Sequence, residues 1–259
     1  MIFELGLEPS VFIILCSVAL VAGFIDAIAG GGGLLTVPAL LSAGLPPHMA
    51  LGTNKLAASF GSSTAAITYY KKRLFEPRFW GRSFLFTAAG AICGTLVVDI
   101  ISTDWLDKLL PVIVICTAIY SIFSKTQDHA GETLPDDTPA LHKKQGWQGY
   151  ILGFYDGLAG PGTGAFWTVS TMALYKLNIL LASGVAKAMN FTSNFSSLLT
   201  FIYLGHINWY LGLSMGFCIM IGALVGAHTA IHFGAKFIRP IFITVVIIIA
   251  FKLAYQAWF

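Results

Sequence analysis

Eight apolar segments run along the chain, near residues 11–41, 49–70, 83–101, 106–124, 148–175, 180–204, 209–231 and 240–259. Six are close to the ~20 residues that a helix needs to cross the hydrocarbon core of a bilayer. The pattern therefore predicts an all-α polytopic membrane protein. The other two segments are too long and too interrupted to be single straight helices. Residues 11–41 would form a helix of about 46 Å at the standard rise, and they contain Gly30, Gly31, Gly32 and Gly33 followed by Pro38. Residues 148–175 are cut likewise by Gly160, Pro161, Gly162, Thr163 and Gly164. Both are predicted to break there, since glycine is a poor helix former and proline lacks a backbone donor.

The two interruptions match each other. Gly23, Phe24, Asp26, Ala29 and Gly30 lie over Gly153, Phe154, Asp156, Ala159 and Gly160 at an offset of 130 residues. Downstream, Lys55 falls over Lys187, and the pair Gly90/Gly94 over Gly222/Gly226, at an offset of 132. Self-similarity at a fixed spacing predicts a duplicated half. The first transmembrane repeat is expected over residues 10–124, a hydrophilic joint over 125–145, and the second repeat over 146–259. Each repeat has about four helical segments, the first of them broken.

Orientation follows from the basic residues. Lys55, Lys187 and Lys252 lie inside spans, which leaves twelve of the fifteen Lys and Arg in connections. If the broken segments cross fully, eight basic residues face one side and Lys108, Lys176, Lys236 and Arg239 face the other. If each broken segment is instead a re-entrant hairpin, Lys176, Lys236 and Arg239 join the majority and only Lys108 opposes it. The re-entrant topology satisfies the charge bias better, and it makes the halves inverted repeats.

Composition agrees with a membrane setting. Apolar residues make up 56% of the chain and charged residues only 10%, against about 25% charge in soluble domains. The net charge of +3 is not gathered into one cluster, so no nucleic-acid partner is expected. Cys16, Cys93, Cys116 and Cys218 sit in apolar runs without metal-ligand spacing and are expected to be free thiols. Trp80, Trp105, Trp147, Trp209 and Trp258 fall near span ends and are expected in the interfacial belts.

Four ionisable residues recur inside the apolar repeats: Asp26, Asp156, Lys55 and Lys187. A charge at that depth is costly unless it is paired or wet. Each aspartate is expected to neutralise a lysine, either within its half or across the pseudo-two-fold. An inert pair that fixes helix register and a functional pair both satisfy that requirement. Polar neighbours favour function. Thr53 and Asn54 precede Lys55, and Lys55, Ser59 and Ser62 share one helix face. Lys187, Asn190 and Asn194 form a second stripe, with Ser193 beside it. Unwound backbone at membrane depth must be buried in protein or line a cavity, and a half-helix restarting there presents free N–H groups to an anion. The breaks at Gly30 to Gly33 and at Gly160, Gly162, Thr163 and Gly164 are thus expected to line a central anion site, the arrangement that marks secondary transporters. Substrate donors are expected from Thr53, Asn54, Lys55, Ser62, Lys187, Asn190, Ser193 and Asn194. Asp26 and Asp156 either hold the lysines or carry a coupling proton.

The segment from Gly23 to Pro38, followed by Thr53, Asn54, Lys55 and Leu56, closely resembles the first repeat of the TauE/SafE sulfite exporter family, in its YfcA-like branch. Gly153 to Gly157 and Ala186 to Asn194 are similar to the second repeat. The resemblance implies a multi-pass transporter of the bacterial inner membrane that moves small sulfur-containing anions such as sulfite or organosulfonates. It implies no catalysis, no cofactor and no metal. The small anion and the lipid bilayer are the expected partners, with a homo-oligomer left open. Carriage of another small anion or carboxylate with a proton or cation is the alternative, as is a cation carrier built on the two aspartates. The glycine run is not a nucleotide loop, because no Gly-Lys-Ser/Thr follows it.

Overall fold

The structure, a computed structural model, describes residues 8–106, 108, 112, 131 and 133–233. The apolar segments expected near 106–124 and 240–259 fall largely outside the described residues, as do Cys116 and Trp258. Eight helices of eight residues or more lie among the described residues. They are α1 (Pro9–Ala29), α2 (Gly33–Ser42), α3 (Pro47–Lys71), α4 (Gly81–Ile100), α5 (Pro139–Leu158), α6 (Thr163–Tyr175), α7 (Ile179–Leu204) and α8 (Trp209–Phe233). The chain is an all-helical polytopic membrane protein. By length and hydropathy alone, α1, α4 and α8 qualify as membrane spans. The equally long α3 and α7 carry Lys55 and Lys187 with their polar stripes, which lowers their mean hydropathy.

Both predicted breaks are present. Gly30 ends α1 in the left-handed region, at φ 79°, and its N–H bonds back to the Asp26 carbonyl at 2.8 Å. In the second half Gly160 and Gly162 take φ of 91° and 78° before α6 starts at Thr163. Only glycine enters this region without a steric cost. One boundary differs from the sequence reading. α5 starts at Pro139, inside the stretch expected to be a hydrophilic joint, because the Thr138 side chain accepts the Leu141 amide at 3.2 Å and Pro139 sits in the first turn. The first turns of α5 carry His142, Lys143 and Lys144, too polar to register as an apolar segment.

Each broken pair folds back on itself. Leu15 near the start of α1 packs with Leu40 and Leu45 at the end of α2 and with Leu211 of α8. At the other end of the bundle Leu141 of α5 packs with Tyr175 of α6 and with Trp80. The hairpins α1–α2 and α5–α6 thus enter from opposite ends. The long helices α3 and α7 run antiparallel: Gly52 of α3 faces the carbonyl of His206 just after α7, whereas Gly184 of α7 faces that of Leu74 just after α3.

The repeated glycines join one half to the other. A Cβ on Gly90 or Gly94 of α4 would overlap the α5 backbone at Tyr150 and Phe154. A Cβ on Gly222 or Gly226 of α8 would overlap the α1 backbone at Leu20 and Phe24. Small residues let backbones approach where lipid offers no hydrophobic drive for association. Trp105, Trp147 and Trp209 are exposed, in keeping with an interfacial belt, but Trp80 is fully buried. It packs edge-on against Tyr175, with ring centroids 4.9 Å apart, and closes the end of the α5–α6 hairpin. Proximity to a span end does not separate a belt residue from a plug.

Candidate functional site at the crossing of two broken helices

The two breaks touch. A Cβ on Gly30 would overlap the main chain of Gly164, and the Ala165 N–H donates to the Gly30 carbonyl at 3.2 Å. Gly33 also faces Pro161, whose Cα would lie 3.2 Å from a Cβ placed there. Irregular backbone from one half is thereby satisfied by the other rather than left open to lipid.

The charged residues pair across the halves. Lys55 Nζ lies 3.0 Å from Asp156 Oδ1 and also donates to the Asp156 carbonyl oxygen. Lys187 Nζ lies 3.7 Å from Asp26 Oδ2 and donates to the Asp26 carbonyl oxygen. Both lysines are 1% exposed. Each ammonium therefore sits in the last turn of the other half's first helix, at the negative end of the dipole; there the Asp26 carbonyl accepts both the Gly30 amide and Lys187. Each aspartate also reaches the start of the following half-helix. Asp26 Oδ1 accepts the Gly32 N–H at 3.0 Å, and Asp156 Oδ1 accepts the Thr163 hydroxyl at 3.0 Å. Carboxylates thus occupy part of the positive helix ends that the sequence reading assigned to a substrate. Two cations and two anions sum to zero, so the buried cluster is electrically neutral.

A cavity of about 30 Å³ lies at the crossing, room for roughly two waters. Its walls include Asp26, Gly30, Gly32, Gly33, Asn54, Asp156, Gly160, Gly162, Thr163, Gly164, Asn190 and Asn194. These expected residues, from both halves, are brought together. Lys55 and Lys187 are not part of that wall; they stand behind it, bound to the aspartates that are. Thr53, Ser62, Ser193 and Gly31 are likewise not part of it. The Thr53 hydroxyl accepts the Asn208 amide at 3.0 Å near the start of α8, and Ser62 and Ser193 bond back to carbonyls of their own helices. Trp167 is fully buried in packing with Trp80 and Met189.

Sequence reasoning missed four wall residues, Ala22, Thr36, Ala58 and Ile219. Thr36 bonds the Asn54 side-chain oxygen at 2.5 Å and lies one turn after Gly32, a spacing that could have identified it. Ala58 matches Asn190 at the offset of 132, so the repeat itself pointed to it. The two halves consequently furnish the cavity unequally, with Asn190 and Asn194 from α7 set against Ala58 and Asn54 from α3.

The sequence profile of the family described as "Sulfite exporter TauE/SafE" matches residues 15–253. Among curated proteins, the chain is 38% identical over 239 residues to "Probable membrane transporter protein ORF9" of a Sinorhizobium species, covering 91% of this chain and 89% of that one. It is 37% identical over 251 residues to a "Probable membrane transporter protein" of Haemophilus influenzae, covering 95% and 96%. It is 35% identical over 255 residues to "Probable membrane transporter protein YfcA" of Escherichia coli, covering 96% and 92%. No solved structure matches the chain.

Proposed function

The chain belongs to the sulfite exporter TauE/SafE family of membrane transporters, and from that premise we propose that it is a secondary transporter of small sulfur-containing anions such as sulfite or organosulfonates, binding them where the two broken helices cross. The observation that carries this reading is the pair of exchanged ion pairs, Lys55 with Asp156 and Lys187 with Asp26. Two half-helix starts and three asparagines line one cavity, and the two lysines stand behind the aspartates of its wall. An incoming oxyanion takes hydrogen bonds from Asn54, Asn190 and Asn194 and draws on the ammonium charge as the aspartates yield. The work is done by gradients, since no nucleotide loop follows the glycine run. An inside-negative potential assists outward release of an anion by about 2.3 kcal/mol per charge per 100 mV. In this reading the protein lies in the bacterial inner membrane with its lysine-rich end, which carries Lys71, Lys72, Arg78 and Lys176, toward the cytoplasm.

One observation favours a second reading. The aspartates, not the lysines, face the cavity, as a cation carrier would require. Flux in vesicles reconstituted with the purified protein separates the two. Transport that follows sulfite or alkyl sulfonate and is indifferent to replacing sodium by potassium or choline supports the anion reading. Flux that follows the cation and ignores the anion overturns it.

A further inference from the structure

The four carboxylate oxygens beside the cavity are not equivalent. Asp26 Oδ1 accepts the Gly32 amide, and its Oδ2 faces the Lys187 ammonium. Asp156 Oδ1 is held by both the Lys55 ammonium and the Thr163 hydroxyl. Asp156 Oδ2 is buried, and no donor reaches it. The Asp156 side chain is 2% exposed, against 18% for Asp26.

An ionised oxygen with no donor in a dry interior is the costly arrangement. A proton placed on Asp156 Oδ2 displaces no existing hydrogen bond, and the counter-charge it takes from the Lys55 ammonium is the one a bound anion supplies. On any of the other three oxygens it would disturb a hydrogen bond or an ion-pair contact. The surroundings add a second constraint. The charged groups of the cluster are Lys55 from α3, which touches Asp156 directly, and Asp26 from α1 with Lys187 from α7. The remaining polar neighbours are neutral: Thr163 of α6, Thr95 of α4 through the Gly157 carbonyl, and Asn190 and Asn194 of α7. The empty cluster sums to zero, so a bound monoanion leaves one uncompensated negative charge at low dielectric, and a proton on Asp156 restores neutrality.

We propose that Asp156 is the coupling carboxylate of the transporter, taking up one proton on Oδ2 for each monoanion bound, while Asp26 stays ionised. The inference rests on the anion-transport reading and deepens it. The proton comes from the aqueous phase on the side of anion loading; an O–H bond forms on Oδ2, Oδ1 keeps Lys55 and Thr163, and the proton leaves with the anion. The duplicated halves are thereby specialised: one carboxylate titrates and the other holds its lysine.

Infrared difference spectroscopy of the full-length protein in lipid vesicles equilibrated with methanesulfonate tests the proton site without relying on flux. On acidification the carbonyl stretch of a buried protonated carboxylic acid is expected to appear, to shift down in heavy water, to be lost in Asp156→Asn and to persist in Asp26→Asn. Absence of the band in the wild type, or its loss in Asp26→Asn, overturns the proposal. The wild-type and Asp26→Asn spectra decide the matter even where Asp156→Asn does not fold. In a second arm methanesulfonate, which carries no titratable proton near neutrality, is the transported probe. The expected coupling of one proton per anion falls to near zero in Asp156→Asn, measured against that variant's own residual flux. An undiminished ratio overturns the proposal. Absence of methanesulfonate flux in the wild type counts against the transport reading, and the infrared arm still decides the proton site.

Discussion

Lys55 of the first half lies 3.0 Å from Asp156 of the second, and Lys187 of the second is paired with Asp26 of the first. The exchange makes each half incomplete without the other, because neither lysine finds its carboxylate in its own repeat. Removing one member of a buried pair leaves an uncompensated charge and costs about 3–5 kcal/mol, whereas replacing both by apolar groups of similar size is far milder. Lys55→Met is therefore expected to lower the unfolding midpoint in detergent sharply, and Lys55→Met combined with Asp156→Leu to recover most of the loss. Thermal unfolding followed by size-exclusion recovery measures both.

The crossing of the breaks yields a contrast between glycines. Gly30 and Gly44 both have positive φ, 79° and 86°, but a Cβ on Gly30 would strike Gly164 whereas nothing lies within 4 Å of Gly44. Gly44→Ala is expected to cost about 1–2 kcal/mol, the left-handed strain alone. Gly30→Ala is expected to yield little folded protein. Expression and thermal stability of the two variants compared side by side check the prediction.

Thr53 and Asn190 belong to the same set of sequence candidates, yet they do different work. Thr53→Val leaves the buried Asn208 amide without its acceptor and is expected to cost about 1–3 kcal/mol of stability, the penalty for an unsatisfied buried donor, with anion affinity intact. Asn190→Ala, at the cavity wall, is expected to weaken anion affinity by about tenfold, the loss of one hydrogen bond to a charged ligand. A thermal-shift titration with sulfite separates them.

The antiparallel run of α3 and α7 places Lys72 and Lys176 at one end of the bundle and Asp104 at the other. Single cysteines introduced at Lys72, Lys176 and Asp104 in a background lacking native thiols are expected to label from the same side for the first two and from the opposite side for the third. Labelling of Lys72→Cys and Lys176→Cys from opposite sides would restore the fully crossing topology.

Much of this was legible in the chain. The two breaks follow from local backbone chemistry, since glycine runs and Pro161 cannot continue a helix wherever they are placed. The pairing of Asp with Lys also follows, because a lone charge is untenable at that depth. Which Asp meets which Lys is a tertiary fact that leaves no mark on either helix, and the sequence left both pairings open. The ammoniums were expected to face the cavity; they stand behind its carboxylates because Lys55 and Lys187 reach the carbonyls that end α5 and α1. Ser62 shares a face with Lys55 and Ser193 lies beside the second stripe, but a hydroxyl on a helix can bond its own backbone, and there both remain.

The central claim is that two lysines, one from each half, serve one anion site. Sulfite flux into vesicles carrying Lys55→Ala or Lys187→Ala, each confirmed as folded and inserted, tests it most directly. The account predicts that flux is abolished in both variants; wild-type flux in either would contradict it.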